Sequence, residues 1–242
     1  MLKLGLPSRK GPMAKRVVIF GTCGADLDAK ALKAVVRFVS DTQPDEIVCT
    51  EQSIPLLEGL REAYDGPVGV HTSSLEARFG ATALSDSGYY RIAPGWISTA
   101  REDCCAVSRI AGNTALNAAR KHGICVVLGH TGRMGIGSHT TGYAGRVDKT
   151  VTGMEVGHLM DMKKLRSRIR MGKGDVIGLA LATTLREMSL QQGFGMLVIG
   201  QECDCRGIGP CLSRVGDGQH VRPVCVAIHR GKFEFEGHTW AV

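Results

Sequence analysis

The sequence predicts an α/β fold in which a mainly parallel sheet is followed by an antiparallel part. In the amino-terminal half, short apolar, β-branched runs alternate with segments of helical periodicity, which is the pattern of βαβ units. After Thr150 strand-like runs dominate, and they indicate an added antiparallel section. The 242 residues, of which 43% are hydrophobic and 22% charged, have the balance of an ordinary globular domain.

The predicted elements are short and closely spaced. The strands of the parallel part are expected at 16–20, 47–49, 67–70, 91–98 and 124–128. Helical spacing predicts helices over 26–41, 54–64 and 108–121, and a weaker one over 75–84. Later strands are expected at 150–155, 195–199, 221–229 and 232–235. We expect residues 1–13 to form a disordered basic extension and residues 14–242 to form a single domain.

The positive charge is concentrated in two segments. The net charge is +7, with five basic residues and no acid in 1–16 and six basic residues and no acid in 163–173. The ordinary explanation is a solvated tail and a solvated surface, and the functional one is contact with a phosphate-rich partner. No aromatic residue interleaves with the second segment, which argues against a base-stacking platform.

The nine cysteines favour a cytoplasmic protein with reduced thiols, because their spacing is irregular and no secretory signal or membrane-length apolar run is visible. Cys203, Cys205 and Cys211 lack the spacing of a zinc finger or ribbon, so we expect free thiols on a variable loop, with zinc binding as the weaker alternative. Cys104 and Cys105 lie at the expected pocket edge, but no base is identified beside them.

A ligand site is expected where the predicted strands end. In open α/β sheets, ligands bind at the carboxyl ends of the strands. The loops at these ends are 21–28, 50–53, 71–76, 99–103 and 129–133. Their ionisable side chains include Asp26, Asp28, Glu51, His71, Glu76, Glu102 and His130. The glycine-rich stretch 129–137 is a candidate anion cradle, although it lacks Walker-type spacing.

Between these loops the sequence resembles the calcineurin-like metallophosphoesterases, in particular a group common in phages of actinobacteria. The resembling stretches are RVVIFG, ADLDAKALKAVVRFVSDTQPDEIVC, LREAYDGPVGVH, RIAPGWIST, SRIAGNTALNAAR, VVLGHT, RMGIGSHT, VTGMEVGHLMDMK, QQGFG and GHTW. The resemblance implies the family's four-layer α/β/β/α sandwich, in which two sheets pack face to face with helices outside. It also implies a phosphoesterase site that holds two divalent metal ions.

The sequence departs from this family at its metal-binding motifs, which are Gly-Asp-x-His, Gly-Asp, Gly-Asn-His-Asp, His-Gly-His and Gly-His-x-His. The ligand positions are occupied here by Thr22, Gly24, Thr50, Ser74, Leu75, Ala100 and Gly132. His130 is the ligand position that clearly survives. Two neighbouring divalent ions need several carboxylate and imidazole donors to offset their charge and lost hydration. We therefore expect the two-metal mechanism to be absent or severely impaired.

Two classes of function stay open. The first is a catalytically impaired pseudoenzyme that binds a phosphorylated small molecule, a nucleic acid or a protein, with Arg101 and Arg133 as anion-binding candidates. The second is an active phosphoric ester hydrolase with a rebuilt, in the simplest case mononuclear, site for Mn, Zn, Mg or Fe. Its candidate ligands are His130, Asp26, Glu51, Glu76 and Glu102, and His130 is also the candidate catalytic residue.

Each candidate also has an ordinary structural explanation. A lone histidine such as His130 is commonly a hydrogen-bonded structural residue, and acidic residues near helix starts stabilise the helix dipole. Substitutions concentrated at the motifs would also be expected in a redesigned or scrambled derivative of such an enzyme. We expect a cytoplasmic protein, located in the host cytoplasm if a phage encodes it.

Overall fold

The computed structural model describes residues 15–23, 26–51, 54–70, 82–83, 89–99, 107–143, 146–170, 190–200 and 220–241. Within these ranges the chain forms two larger sheets, one hairpin and a few helices. The mixed α/β class predicted from the sequence is therefore confirmed. No helix in the described part of the chain is long and apolar enough to cross a membrane.

The first sheet has six strands in the spatial order β11-β10-β1-β2-β3-β4. Strands β1 to β4 run parallel, whereas β10 is antiparallel to β1 and β11 is antiparallel to β10. The strands are β1 (Lys15–Phe20), β2 (Glu46–Cys49), β3 (Val68–Val70), β4 (Thr82–Ala83), β10 (Gly193–Gly200) and β11 (His220–Ala227). The parallel part is thus the amino-terminal part of the chain, as the alternating pattern predicts.

The second sheet has five strands in the spatial order β5-β6-β7-β9-β8. Strands β6, β7 and β9 are parallel, and β5 and β8 are the antiparallel edge strands. The strands are β5 (Tyr89–Ala93), β6 (Trp96–Thr99), β7 (Cys125–Leu128), β8 (Met134–Tyr143) and β9 (Arg146–Val156). A separate hairpin is formed by β12 (Lys232–Phe235) and β13 (His238–Ala241).

The helices are α1 (Ala29–Thr42), α2 (Ile54–Arg61), α3 (Asn113–His122) and α4 (Met162–Arg170). Helices α1 and α2 and the β12–β13 hairpin share a core with one face of the first sheet. Helix α3 packs on the second sheet through its alanine-rich face, which includes Ala115, Ala118 and Ala119. The small alanine side chains allow this helix to lie close to the strands.

Strand β1 shows why the two sheets pack together. Its side chains alternate with a period of two, so Val18 and Phe20 join the core under α1, whereas Val17 and Ile19 enter a second core. That second core also contains Trp96, Val127 and Met154 from the second sheet. Because both faces of the strand are buried over 17–20, these four residues are all apolar, as expected for a parallel strand.

The structure differs from the prediction at five places. The single strand expected at 91–98 is a hairpin, because Pro94 and Gly95 form a turn between β5 and β6, with Gly95 at φ 71°. Of the candidate anion cradle at 129–137, residues 134–137 form the start of strand β8. The helix expected from residue 108 begins at Asn113, and strand β13 was not predicted. Of the weak helix at 75–84, residues 82–83 form strand β4 and the rest lies outside the described residues.

Candidate functional site

The ends of strands β1, β2 and β7 meet at one place, which we call the strand-end edge (residues 21–23, 50, 129–132 and 157–158). The backbone N–H and the hydroxyl of Thr22 both donate to the carbonyl oxygen of Gly129, each at 2.9 Å. The hydroxyl of Thr50 donates to the carbonyl oxygen of Phe20 at 3.1 Å. Three of the five loops expected to converge therefore do so in the described residues.

The backbones at this edge are in direct contact. An ideal Cβ on Gly21 would lie 2.4 Å from the carbonyl oxygen of Gly157 and 2.7 Å from that of Gly129. An ideal Cβ on Gly129 would lie 1.7 Å from the hydroxyl oxygen of Thr50. A side chain at either glycine would force the strand ends apart. The space next to Thr22 and Thr50 is thus filled by backbone and by threonine hydroxyls.

A crossover segment, residues 157–161, connects the second sheet to the first at this edge. The N–H of Leu159 donates to the carbonyl oxygen of Thr22 at 3.1 Å, and the N–H of Asp161 donates to that of Asp26 at 2.7 Å. Leu159 is fully buried in the core under α1. The segment therefore fixes the loop after β1 from both of its ends.

His158, in the middle of this segment, is a residue that the sequence analysis missed. Its side chain is fully buried, and its backbone pairs with Thr22 on one side and Gln192 on the other. Its Nδ1 accepts the N–H of Met160 at 3.1 Å, so the neutral ring carries its proton on Nε2. That Nε2 is buried and has no hydrogen-bond partner in the described structure. Burial lowers the pKa of His158 to about 4, so the ring is neutral at pH 7.

The tautomer of His158 restricts its chemistry. A neutral imidazole binds a metal through the nitrogen that lacks a proton, and here that nitrogen already accepts the Met160 N–H. The protonated Nε2 is instead a donor suited to an oxygen atom. The sequence signal that would have found it is a histidine directly after a glycine at the end of the buried β9 run.

The structure places the predicted acidic and histidine candidates in different surroundings. Asp28 is the N-cap of α1, because its Oδ1 accepts the N–H groups of Lys30 and Ala31, and its Oδ2 accepts from the Gln192 side chain at 2.9 Å. The helix-start explanation therefore holds for Asp28. Asp26 and His130 are buried beside the strand-end edge, and Glu51 is half-buried just after Thr50.

Arg133, predicted as an anion-binding residue, is fully buried in an ion pair with Glu155. Its Nη2 lies 3.1 Å from Glu155 Oε1 and 2.8 Å from Thr114 Oγ1, and its Nη1 donates to the carbonyl oxygen of Ser108. A guanidinium without exposed surface has no access to a dissolved anion. The expectation that Arg133 binds an anion is therefore wrong, because the turn between β7 and β8 places its side chain in the interior, next to the start of α3.

Glu155 explains how helix α3 begins without a side-chain cap. The residue before the helix is Gly112, at φ 80°, and its N–H donates to Glu155 Oε2 at 2.6 Å. The carboxylate from β9 thus takes the place of an N-cap and is neutralised by Arg133. A charged residue inside a buried strand was the available sequence signal, since such a charge needs a partner.

Cys49, near the edge, is a weak nucleophile. Cys49 directly precedes Thr50 and is buried, and burial raises the pKa of its thiol to about 12. A thiol with this pKa is protonated at neutral pH and is a weak nucleophile.

Several predicted site residues lie outside the described residues: Gly24, His71, Ser74, Leu75, Glu76, Ala100, Arg101, Glu102, Cys104, Cys105, Cys203, Cys205 and Cys211. Within the described ranges, no group of three or more His, Cys, Asp and Glu side chains comes together as a metal site would require. Gly132 is described, and its backbone has φ 65°, the left-handed region that favours glycine.

Two phage proteins are similar to the chain over almost its whole length. The Gene 54 protein of Mycobacterium phage D29 is 31% identical over 292 residues, covering 95% of this chain and 100% of that protein. The Gene 54 protein of Mycobacterium phage L5 is 31% identical with the same coverage. The chain belongs to the Gene 54 protein family. This result agrees with the expected relationship to phages.

The alignment with the Gene 54 relatives is longer than the 242-residue chain, so the relatives contain segments without a counterpart here. No family model matches the sequence, and no solved structure matches it.

Proposed function

We propose that this chain is a metal-depleted, phosphoesterase-like protein that binds a phosphorylated ligand at the strand-end edge without hydrolysing it. Its fold in this proposal is the four-layer sandwich of the calcineurin-like enzymes. Support comes from the core shared by the two sheets and from the position of α1 and α2 on one outer face and α3 on the other. The sequence stretches that resemble the family supply these same elements.

The observation that carries the proposal is the hydrogen bonding of the two described threonines at motif positions. Thr22 and Thr50 point their hydroxyls into backbone carbonyls of Gly129 and Phe20. A carboxylate at either position would carry a charge to offset a divalent ion, whereas a hydroxyl is neutral. The two hydroxyls therefore link the strand ends by hydrogen bonds, and a metal ion would need its ligands from other residues.

The fifth motif gives the proposal a second support. The family pattern has a histidine where this chain has Gly132, and the backbone here is left-handed. A histidine in that conformation costs roughly 1 kcal/mol. Regaining the second ligand of this motif would therefore require a change in the loop as well as a substitution.

The ring of His158, like the side chain of Arg133, has no exposed surface, so in this proposal the strand-end edge opens to admit the phosphoryl group. The Nε2–H of His158 is a buried donor without a partner in the described structure, and buried donors of this kind are costly. An oxygen of a phosphoryl group accepts such a hydrogen bond without needing a metal. Helix α4, whose first turn carries two lysines, begins at Met162, directly after the crossover segment.

Metal analysis tests the first half of the proposal. The protein would be purified with Mn(II) and Zn(II), desalted, and measured for bound metal per chain by elemental analysis. We expect far less than one ion per chain. The matched variant Thr22→Asp restores a carboxylate at the first motif, and a rise in its bound metal would show that missing charge is what excludes the ions.

The alternative is an active hydrolase with a rebuilt site, and the burial of Asp26 and His130 beside the edge is the observation that favours it. One or two ions per chain, together with Mn(II)-dependent hydrolysis of p-nitrophenyl phosphate that His130→Ala abolishes, would establish it. In that case Mn, Zn, Mg and Fe would each need to be compared as the working ion.

Ligand binding tests the second half. Inorganic phosphate would be titrated into uniformly ¹⁵N-labelled protein while the side-chain nitrogens of His158 are followed by NMR. We expect the Nε2 signal to shift with saturation and the His158→Phe variant to bind phosphate more weakly. Absence of any phosphate-dependent shift in the protein would contradict the proposed binding site.

A further inference from the structure

Helix α4 is held in a fixed orientation next to the strand-end edge. Asp161 caps it, since its Oδ1 accepts the N–H groups of Lys163 and Lys164 at 2.8 and 3.2 Å. Leu165 is buried in a small apolar cluster with Met160 and Leu190. Because its cap and one apolar side chain are fixed, the helix cannot rotate about its axis to bury its exposed residues.

The exposed side of this helix is basic. Lys163, Lys164 and Arg166 are exposed, and the sequence from 163 to 173 contains six basic residues without an acid. Charges of one sign at positions three or four apart destabilise a helix, and cations in the first turn oppose its dipole. The basic pattern therefore works against the isolated helix, and an anionic partner would compensate for it.

We infer that the exposed face of α4 binds the phosphate backbone of nucleic acid without reading its sequence. The evidence is the concentration of cations on an anchored helix, which matches the high linear charge density of nucleic acid. No aromatic side chain is interleaved with the basic residues, so stacking on bases has no platform here. This inference stands apart from the proposed function, since it requires neither a metal ion nor an occupied strand-end edge.

The test measures the affinity for a fluorescein-labelled 20-base-pair duplex of random sequence by anisotropy, between 50 and 200 mM salt. The variant Lys163→Gln, Lys164→Gln, Arg166→Gln removes three cations, and glutamine has a similar helix propensity. We expect the affinity at 100 mM salt to fall about tenfold or more and the slope of log K against log salt to fall by about three.

A matched control removes three positive charges at the other end of the second sheet, away from the strand-end edge. Arg120, Lys121 and Lys149 are exposed there, near the end of α3 and the start of β7. The variant Arg120→Gln, Lys121→Gln, Lys149→Gln should keep most of the affinity. An equal loss in both variants would overturn the inference, because it would show an effect of net charge alone.

Further outcomes decide the class of partner. Lys163→Arg with Lys164→Arg keeps the charge and should bind at least as tightly as the natural chain. No measurable binding of duplex or single-stranded probe by the natural chain would overturn the inference. Equal affinity for polyglutamate of similar charge would assign the surface to an acidic protein instead. Circular dichroism of each variant shows whether its fold is intact.

Discussion

At the start of helix α3 the chain buries a carboxylate and a guanidinium, whereas at the ends of β1 and β2 it buries threonine hydroxyls. Glu155 and Arg133 are both fully buried and 3.1 Å apart, with the carboxylate also accepting the N–H of Gly112. Thr22 and Thr50 are buried too, but each directs its hydroxyl to a backbone carbonyl. The buried Arg133–Glu155 pair thus supports the scaffold.

The two regions differ in how strongly their buried polar groups stabilise the fold. A buried ion pair is destabilising when only one partner is removed, so the α3 network constrains the sequence strongly. A hydroxyl that bonds to a carbonyl stabilises the fold only modestly. A scaffold can therefore persist after its metal ligands are gone, provided that small neutral side chains still join the strand ends.

Breaking the buried ion pair should have the largest effect. Glu155→Gln leaves the Arg133 guanidinium buried without an anion, and we expect the free energy of unfolding to fall by about 3–5 kcal/mol, measured by urea denaturation. The double variant Glu155→Gln, Arg133→Met should recover much of this loss.

The control for this prediction is the exposed pair Arg16–Glu236, at 2.9 Å, with both side chains more than a third exposed. Glu236→Gln should cost less than about 1 kcal/mol. Similar losses in the buried and the exposed pair would mean that the network at α3 is not the main support of the second sheet.

Separating the strand ends should have the next largest effect. A Cβ on Gly21 meets the backbone oxygens of Gly157 and Gly129, which have little freedom to move. We expect Gly21→Ala to lower the free energy of unfolding by about 2–3 kcal/mol. Gly59→Ala is the control, because its added methyl meets only flexible side chains of Leu32 and Val36 at 3.3 Å and should change stability by less than about 1 kcal/mol.

The strand-end edge could be predicted from the sequence because it depends on local patterns. Strands β1, β2 and β7 are apolar runs followed by Gly21, Thr50 and Gly129. The ends of β1 and β2 lie together because the two strands are parallel neighbours in one sheet, whereas β7 reaches the same edge because the second sheet packs against the first. Strand β8 was missed because it is rich in glycine and polar residues and lies at a sheet edge. Its partner β9 was expected only in part, because its first residues include charged side chains.

The long-range partners could not be predicted from local patterns. Arg133 directly precedes β8 and Glu155 lies on β9, 22 residues further along the chain, and the register of β8 against β9 brings the two side chains together. The role of His158 depends on a crossover between the two sheets that no local spacing reveals. A burial pattern predicts which face a residue occupies, but not which polar group it meets there.

The buried His158 predicts a loss of stability in mild acid. In the unfolded chain the group has a pKa near 6.5, and burial lowers the folded value to about 4. The unfolded state therefore binds more protons below pH 6.5, so this contribution is complete above that pH and is lost as the pH falls towards 4. We expect about 2 kcal/mol to be lost between pH 7.5 and pH 5.

Urea denaturation at both pH values measures this effect. The variant His158→Gln does not titrate in the window and should lose about 2 kcal/mol less than the natural chain over the same interval. His229→Asn, at an exposed histidine, should behave like the natural chain. An equal loss in the His158 variant would mean that other groups cause the acid sensitivity.

The smallest expected effect tests the comparison most directly. Thr50→Val removes the hydroxyl that donates to Phe20 and keeps the shape of the side chain, so we expect a loss of about 1 kcal/mol in urea denaturation. The backbone N–H of Thr50 still donates to the same carbonyl at 3.0 Å, which limits the loss. Bound metal per chain should be the same in the variant and the natural chain. If metal were present and lost with the hydroxyl, Thr50 would be a ligand, and the contrast with the α3 network would no longer hold.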